Sequence, residues 1–446
     1  MIWRKGDLDF LKKVVFVFFN KYLGLAIEFA TSILLVRYLG VEKYGQYVAL
    51  YILPTLLSSL GGFGFGPSIV YYINRGKIYI RKYLWTFTFL GLLLGTVYIF
   101  LLMSFSDLIN ETFYKGGVDK SLFLISILFI PIMIIQKYLR SIIRGIYEIE
   151  LFSLLIDIVA PISRFIFVLI IIYLDYGLLG VVYLPILVQS LITVYMFLYL
   201  LIKSINEKSS YFVKYDEFIE LTKFGLKTFL GSAILKSNNN IVMLLATTLL
   251  SFRDLGIFSL ALKLLQLISS LSGALLTVLM PKVSKSKVNE IAKFIPIASR
   301  ALFSVTFFCL IFYLIFIEFI VITLYGKEFI GIAILSIPLG IATVLLPLSN
   351  TLMLAISFTG DPIKKTYARG LGLLLNLATC YPLFLYYDSF GFALSIMISQ
   401  IATYLLAYNF YIRRFKEYND WNLFIVRSSD SNYYSGLISK LTKGKI

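Results

Sequence analysis

The stretch KSINEKSSYFVKYDEFIE, residues 203–220, is the longest polar segment between apolar runs in this chain of 446 residues. Six apolar runs lie on each side of it, and each is close to the roughly 20 residues that a membrane-crossing helix needs. Because 59% of the residues are hydrophobic and 15% are charged, too little polar surface remains to cover a soluble globule. The sequence therefore predicts an all-α polytopic membrane protein with about 12 transmembrane helices. The predicted spans are 14–36, 46–72, 83–105, 121–139, 151–174, 179–202, 222–250, 256–281, 298–322, 331–357, 367–387 and 390–412.

The positive charges alternate along the chain. Thirty-one of the 41 Lys and Arg residues lie at the N-terminus, in every second gap between spans, or in the C-terminal tail. Short cytoplasmic loops retain Lys and Arg whereas translocated loops lose them, so we expect both termini and residues 203–220 to be cytoplasmic. The same rule accounts for the net charge of +17, and no basic stripe is left over for a nucleic-acid partner.

An internal repeat supports the division at the polar segment. At an offset of 211 residues, YGQYVALYILPTLLSSLGG (44–62) aligns with LGIFSLALKLLQLISSLSG (255–273) at seven identical positions, among them Gly45 with Gly256 and Gly62 with Gly273. Six spans per copy is an even number, so the copies are parallel, an arrangement found in alternating-access transporters. We predict an N-terminal six-helix lobe (1–205), a C-terminal six-helix lobe (206–413) and a basic cytoplasmic tail (414–446).

Several function classes are excluded by residues that the chain lacks. It contains no histidine and only two cysteines, both within apolar runs, so we expect no metal site, no cofactor and no Ser-His or Cys-His nucleophile. The loops between spans are also too short for a soluble domain. These features favour a transporter, with no catalytic residues, over an enzyme.

The strongest candidate for a binding residue is Lys236, which lies near the middle of the seventh span. Charged residues deep in a span are costly and are by default functional candidates. Three amides follow, Asn238, Asn239 and Asn240, and this polar run is longer than one helical turn. We interpret it as one wall of a polar cavity, with hydrogen bonds between helices as the alternative.

Other charged residues fall within the spans. Glu28 lies mid-span in the first helix, and Lys21, seven residues before it, is on the same face and is either a cavity residue or one that snorkels to the interface. In the fifth span, Asp157 and Arg164 also share a face, where a structural ion pair with another helix is the alternative to ligand binding. Lys263 lies in the eighth span. Glu28 and Asp157 are our candidates for ion coupling, and the cations are candidates for substrate binding.

The glycine-rich run GGFGFGP (61–67) superficially resembles a phosphate-binding loop. It follows a membrane helix instead of a strand, and no Lys-Ser or Lys-Thr pair comes after it, so nucleotide binding is excluded. We predict a bend or a close helix contact near the cytoplasmic end of the second span.

Four segments resemble one known family. They are VRYLGVEKYGQYVAL (36–50), LKSNNNIVMLLATTLLSFRDLGIFSLALKLLQLISSLSGALLTVLMPKVSK (235–285), LYGKEFIGIAILSIPLG (324–340) and YDSFGFALSIMIS (387–399). In these segments and in their order, the chain is similar to the Wzx-type oligosaccharide-lipid flippases of the multidrug/oligosaccharidyl-lipid/polysaccharide exporter superfamily.

The resemblance implies a V-shaped fold like that of multidrug and toxin extrusion (MATE) transporters, with spans 1, 2, 7 and 8 lining a central cleft. It implies a flippase that moves a polyprenyl-(pyro)phosphate-linked oligosaccharide from the inner to the outer leaflet of the cell membrane. The implied partners are this lipid-linked substrate, membrane lipids and other membrane proteins of polysaccharide assembly. The alternatives are a small-solute or drug exporter of the same fold and, from another class, a membrane-embedded polysaccharide polymerase or ligase.

Overall fold

The computed structural model describes residues 5–74, 79–285, 288–361, 363–416, 422–425 and 427, and within these it describes no side chains for 5–15, 227–239 and 271–285. Within these ranges the chain is helical and contains no strand. The helices are α1 (Lys5–Leu60), α2 (Phe65–Asn74), α3 (Ile80–Ser104), α4 (Ser106–Phe113), α5 (Lys120–Ile127), α6 (Phe129–Gly145), α7 (Ile149–Ser153), α8 (Ala160–Tyr173), α9 (Gly177–Lys203), α10 (Tyr215–Leu249), α11 (Phe252–Lys285), α12 (Val288–Leu324), α13 (Ile332–Phe358) and α14 (Ile363–Arg414).

Eight segments of the described chain are long and apolar enough to cross a membrane. One consists of α5 with α6, and another of α7 and α8 joined by a π-helical segment, Leu154–Val159. The class predicted from the sequence, an all-α polytopic membrane protein, is confirmed. Two of the eight segments, Phe16–Leu60 and Ile363–Arg414, are too long for a single crossing, and α10 and α11 lie where the seventh and eighth spans are predicted.

The longest of these segments, α14, is an antiparallel hairpin. Its 52 residues would extend about 78 Å as one straight helix, whereas the bilayer core is about 30 Å thick. The helix is interrupted at Asp388 (φ 47°, ψ −129°), so the chain reverses at one residue. The two arms then pack together: the Ser395 hydroxyl donates to the Asn376 side chain (3.0 Å) and that of Ser399 donates to the Gly372 carbonyl (2.7 Å). In α1 the corresponding interruption is at Gly40 (φ 72°).

The glycine-rich run interrupts the helix within the second predicted span. The predicted span 46–72 is divided by a turn at residues 61–64, where Phe63 and Gly64 have positive φ angles of 37° and 72°. Helix α2 begins after this turn. The prediction of a bend here is confirmed, because the left-handed backbone at these two residues breaks the helix.

The described chain groups into two compact units, Phe10–Ser259 and the residues from Leu260 onward together with the N-terminal end of α1. The first unit thus contains α10 and the beginning of α11. At its N-terminal end, α10 lies against α2, where the Ser68 hydroxyl donates to the Leu221 carbonyl (3.0 Å). The division into lobes at residues 205 and 206 rests on the repeat and stays a prediction, and residues 428–446 of the predicted tail lie outside the described residues.

The core of the first unit is aromatic. Tyr83, Phe87 and Tyr138 are fully buried, and the rings of Phe65, Phe87 and Tyr138 lie 5.2–6.2 Å from one another. The second unit has an aliphatic and tyrosine core, in which Leu348 and Leu352 of α13 pack with Tyr404 and Tyr411 of α14. These side chains are buried where helix faces meet within the protein. Many large apolar side chains on the outward faces remain exposed, as expected for helices in contact with lipid.

Candidate functional site

A cavity of about 980 Å³ lies within the first unit. Its walls come from the second half of α1, from α2, from α6 and from the beginning of α10. The described lining residues are Thr55, Ser58, Ser59, Gly66, Pro67, Val70, Tyr71, Asn74, Met133, Gln136, Lys137, Arg140, Ser141, Arg144, Phe152 and Phe224. This set combines hydroxyl, amide, aromatic and cationic groups, and none of these described residues carries a carboxylate.

The three cations of the cavity are on α6. Lys137, Arg140 and Arg144 are spaced three and four residues apart, so their side chains follow one face of the helix. Among the described residues, neither arginine has a carboxylate oxygen within 4.0 Å. Like charges at these spacings repel one another. The cavity therefore presents a positive face that an anionic ligand would stabilise. We call these three residues the α6 basic ladder.

A buried pair of amides holds the middle residue of the ladder. The Arg140 guanidinium donates to the Gln136 side-chain oxygen, and the Gln136 amide donates to the side-chain oxygen of Gln189 on α9 (2.7 Å). Gln136 is 1% exposed and Gln189 is 8% exposed. The Arg140 Nε atom is buried without a hydrogen-bond partner in the described chain. A buried polar atom without a hydrogen bond costs free energy, so Arg140 is held in this orientation at an energetic cost.

The first residue of the ladder is accommodated by the glycine-rich turn. The Lys137 ammonium donates to the Ser59 carbonyl (2.9 Å), and the Tyr138 hydroxyl donates to the Gly61 carbonyl (3.0 Å). A Cβ atom on Gly62 would overlap the Lys137 ammonium. The absence of a side chain at Gly62 therefore leaves the space that this ammonium occupies at the cavity wall.

An ion pair joins Glu28 of α1 to Arg164 of α8. The Arg164 guanidinium donates to the Glu28 carboxylate at 2.8 Å. The Arg164 side chain is 28% exposed and the Glu28 side chain is 36% exposed. An ion pair between Arg164 and another helix was the alternative to ligand binding, and the structure shows this pair with α1 as the other helix. The structure thus brings together two of the predicted site residues, Glu28 of the first span and Arg164 of the fifth.

Asp157 lies near this pair, in the π-helical segment between α7 and α8. Its carboxylate accepts a hydrogen bond from the Ser153 hydroxyl (2.8 Å). The Ser153 hydroxyl in turn accepts one from the Asn20 amide (3.4 Å). Asp157 interacts electrostatically with Lys21, Arg140 and Glu28. Single turns of π-helix occur frequently at functional sites. The polar residues of the first and fifth spans therefore form one cluster that extends towards the α6 basic ladder.

The remaining predicted site residues lie on α10 and α11. Lys236, Asn238 and Asn239 lie on α10, where the side chains fall outside the described residues. Asn240 is half-buried on the same helix, and Lys263 is exposed on α11 in the second unit. The cavity assignment of these residues stays a prediction.

Sequence reasoning did not single out the α6 basic ladder as a candidate site. The rule for positive charges assigns these cations to a cytoplasmic loop, and in the sequence they bear on the membrane topology alone. The signal was present in FIPIMIIQKYLRSIIRG (129–145), where three cations recur at helical spacing within an otherwise apolar helix and a glutamine precedes the first of them.

The family model of polysaccharide biosynthesis proteins matches residues 10–287, more than half of the chain. The chain belongs to this family. The match covers all the elements that form the cavity and the polar cluster. Comparison with curated protein sequences found no significant match.

Solved membrane transporters share the fold. One is the lipid II flippase MurJ in an inward closed conformation, which superimposes on this chain with a TM-score of 0.73. The two sequences are 19% identical, and the match covers 93% of this chain and 90% of the flippase chain. A multidrug resistance MATE family transporter of the MOP superfamily matches in its inward-facing conformation, with a TM-score of 0.70, 15% identity and coverage of 88% and 95%. The outward-facing conformation of such a transporter matches with a TM-score of 0.62, 15% identity and coverage of 91% and 96%.

Proposed function

We propose that this protein is a flippase that moves a polyprenyl-(pyro)phosphate-linked oligosaccharide from the inner to the outer leaflet by alternating access, for polysaccharide biosynthesis. Membership of the polysaccharide biosynthesis protein family supports the class of substrate, and the fold shared with a lipid II flippase supports the type of transport. The protein acts in the cytoplasmic membrane, with both termini in the cytoplasm. Its transport activity requires no chemical step and no cofactor.

The observation that carries this proposal is the charge of the cavity. A lipid-linked oligosaccharide has an anionic phosphate group and a hydrophilic glycan, which both need a polar path through the bilayer, whereas its lipid chain can remain among the membrane lipids. The α6 basic ladder provides cations, and the hydroxyl and amide groups of the lining offer donors and acceptors for sugar hydroxyls.

A second candidate is an exporter of small solutes or drugs, because multidrug transporters share the fold. An exporter of cationic drugs would be expected to carry carboxylates in its cavity, since opposite charges attract. The described lining has three cations and no carboxylate, which favours the anionic substrate.

Transport in reconstituted vesicles distinguishes the two candidates. Purified protein is placed in liposomes that contain a lipid-linked oligosaccharide in the inner leaflet, and its appearance outside is followed with a lectin and normalised to the protein level. We expect time-dependent appearance of the glycan and no movement of a cationic dye. Dye movement without glycan movement would instead establish an exporter.

For ion coupling, we propose that Asp157 is the titrating group and that Glu28 acts as the fixed partner of Arg164. Asp157 accepts one neutral hydrogen bond and has no cation within 4.0 Å among the described residues, so protonation would break no ion pair. We expect Asp157→Asn to make flipping independent of an imposed proton gradient, with Glu28→Gln retaining that dependence. The opposite pattern would assign the coupling to Glu28.

A further inference from the structure

We propose that α10 is held at its two ends by two polar locks on opposite sides of the membrane, and that transport releases them one at a time. The inner lock is Glu217, bonded to Lys82 and Tyr83, and the outer lock is Lys115, bonded to the last carbonyl of the helix. The inference rests on the proposed alternating access and adds to it the contacts that hold each side closed. All these residues belong to the first unit.

The inner lock is a buried ion pair in the first turn of α10. The Glu217 carboxylate accepts two hydrogen bonds from the Lys82 ammonium (2.8 and 2.6 Å) and one from the Tyr83 hydroxyl (2.9 Å). The side chains of Lys82 and Glu217 are 10% and 19% exposed. Both partners of Glu217 lie at the beginning of α3, next to a gap that the charge pattern assigns to the cytoplasmic side. A carboxylate in the first turn also stabilises the helix dipole.

Contacts along one face of α10 continue from this lock to the cavity. The Leu221 carbonyl, about one turn beyond Glu217, accepts the hydrogen bond from the Ser68 hydroxyl of α2 (3.0 Å). Phe224, about two turns beyond Glu217, stacks on Tyr71 of α2 with ring centroids 4.6 Å apart, and both rings line the cavity. The inner lock therefore holds the beginning of α10 in place as a wall of the cavity.

The outer lock is a lysine at the other end of the same helix. The Lys115 ammonium donates to the carbonyl of Leu249 (2.9 Å), the last residue of α10. The last carbonyls of a helix have no partner within the helix and carry a partial negative charge, so a cation is favourable there. The charge pattern assigns the gap that contains Lys115 to the outer side of the membrane.

The backbone around Lys115 is strained and packs closely against other elements. Lys115 and Gly116 have φ angles of 51° and 70°, and this left-handed region is costly for a residue with a side chain. The Gln46 amide of α1 donates to the Gly117 carbonyl (3.3 Å), and a Cβ atom on Gly117 would lie 2.6 Å from the ring of Phe252 in α11. The turn at 115–117 thus connects α1 with the end of α10 and the beginning of α11.

Both locks consist of polar groups that can return to water. A polar contact that opens towards solvent regains hydration, so its net stabilisation is small and the contact can be broken and remade. The two locks differ in strength. Glu217 is buried and accepts three hydrogen bonds, whereas the Lys115 ammonium is exposed and donates to one carbonyl among the described residues. We therefore expect the inner lock to be the stronger of the two.

The test measures access to the cavity separately from each side of the membrane. After Cys309 and Cys380 are replaced by Ala, Thr55→Cys places one thiol in the cavity wall. An impermeant, charged methanethiosulfonate reagent is then applied to intact cells or to inverted membrane vesicles. The rate of modification from each side reports how often that side is open.

Each lock variant should change access from one side alone. We expect Glu217→Gln to raise the modification rate in inverted vesicles by at least about threefold, because the loss of a polar contact shifts a two-state equilibrium by such a factor. Its rate in intact cells should not rise. Lys115→Gln should show the reverse, with a higher rate in intact cells and no rise in inverted vesicles.

Two control lysines and one charge exchange accompany these variants. Lys208→Gln on the inner side and Lys120→Gln on the outer side each remove an exposed lysine, and both rates should stay within about twofold of the wild type. Combining Lys82→Glu with Glu217→Lys reverses the ion pair and should restore the low rate in inverted vesicles. Glu217→Lys alone places two cations together and should not.

Contacts that only stabilise the fold would not distinguish the two sides. An equal rise from both sides in either lock variant, or no change in both variants, would therefore overturn the proposal, and failure of the exchanged pair to restore the low rate would remove Glu217 as the inner lock. Flipping of the glycan is measured separately. If the wild type flips it and neither variant changes access, the locks are wrong and the function stands; if the wild type flips nothing but access changes as expected, the locks stand and the proposed substrate is wrong.

Discussion

Gly45 and Gly256, which occupy equivalent positions in the two copies of the internal repeat, pack directly against each other. A Cβ atom on Gly256 would lie 2.5 Å from the Val41 carbonyl oxygen and 3.3 Å from the Gly45 nitrogen, and one on Gly45 would overlap the Phe252 carbonyl. Both contacts are with backbone atoms, so the backbones of α1 and α11 are in close contact here, as small residues allow. The repeat thus places its two matching glycines on opposite sides of one crossing.

Substitution at this crossing should destabilise the protein. Gly45→Ala and Gly256→Ala force backbone atoms apart, and we expect each to cost about 1–3 kcal/mol of unfolding free energy, as overpacking does. The measurement is unfolding of the purified protein by titration with a denaturing detergent. Gly370→Ala is the control, because a Cβ atom there meets no other atom within 4 Å, and it should be neutral or stabilising. Equal effects at all three positions would show that the crossing has no special packing.

The ion pair between Glu28 and Arg164 should make a measurable contribution to stability. We expect Glu28→Gln and Arg164→Gln each to cost about 1–3 kcal/mol, because each leaves a partly buried charge without its partner. The double variant should cost less than the sum of the two, and a double-mutant cycle measures the difference.

A second double-mutant cycle, on the exposed ion pair between Lys120 and Asp107 (2.6 Å), is the control for the Glu28–Arg164 cycle. Its side chains are 50% and 80% exposed, so the coupling should be no more than about 0.5 kcal/mol. If the coupling between Glu28 and Arg164 is equally small, the polar cluster is not a stabilising element of the first unit.

The membrane topology can be tested with single cysteines. After Cys309 and Cys380 are replaced by Ala, cysteine is introduced at Lys208, Lys440 or Lys120, and intact cells are treated with an impermeant thiol reagent. We expect labelling at position 120 and not at 208 or 440, because the charge pattern predicts that the latter two are cytoplasmic. Position 208 should become labelled once the membrane is permeabilised, which controls for accessibility. Labelling of 208 in intact cells would contradict the predicted arrangement.

Lys236 remains a predicted contact for the anionic headgroup. We expect Lys236→Ala to lose most of the flipping activity and Lys236→Arg to retain part of it, because an ammonium at mid-membrane is costly unless it has an anionic partner. Both variants should insert and accumulate normally. The measurement is lipid-linked glycan on the outer leaflet per unit of protein. Full activity of Lys236→Ala at normal expression would make Lys236 a structural residue.

The hydrophobic and charge patterns of the sequence predicted the helical class and most of the spans, because these depend on residues close together in the chain. They also located the break at GGFGFGP, since glycine and proline act locally on the backbone. The pairing of Glu28 with Arg164, across 136 residues, was not predicted, because helical periodicity gives the face of a residue but not the helix that the face meets.

The α6 basic ladder shows a different limit of sequence reasoning. Lys137 and Arg144 agree with the rule that cytoplasmic loops retain Lys and Arg, so the sequence alone gives no reason to assign them a second role. What distinguishes them is the cavity in front of α6, the Gln136–Gln189 pair behind Arg140 and the space left by Gly62. These come from segments far apart in the sequence, and only the folded chain shows that they meet.

The reversal at Asp388 bears on how the end of the chain enters the membrane. Its two arms are joined by a single non-helical residue and bond to each other through Ser395 and Ser399. Because the connection is short and polar groups of one arm find their partners on the other, we expect the two arms to enter the bilayer together. In this arrangement the serine and asparagine side chains of the two arms are hydrogen-bonded within the hairpin and shielded from the lipid. We therefore expect the two arms of α14 to insert as one helical hairpin.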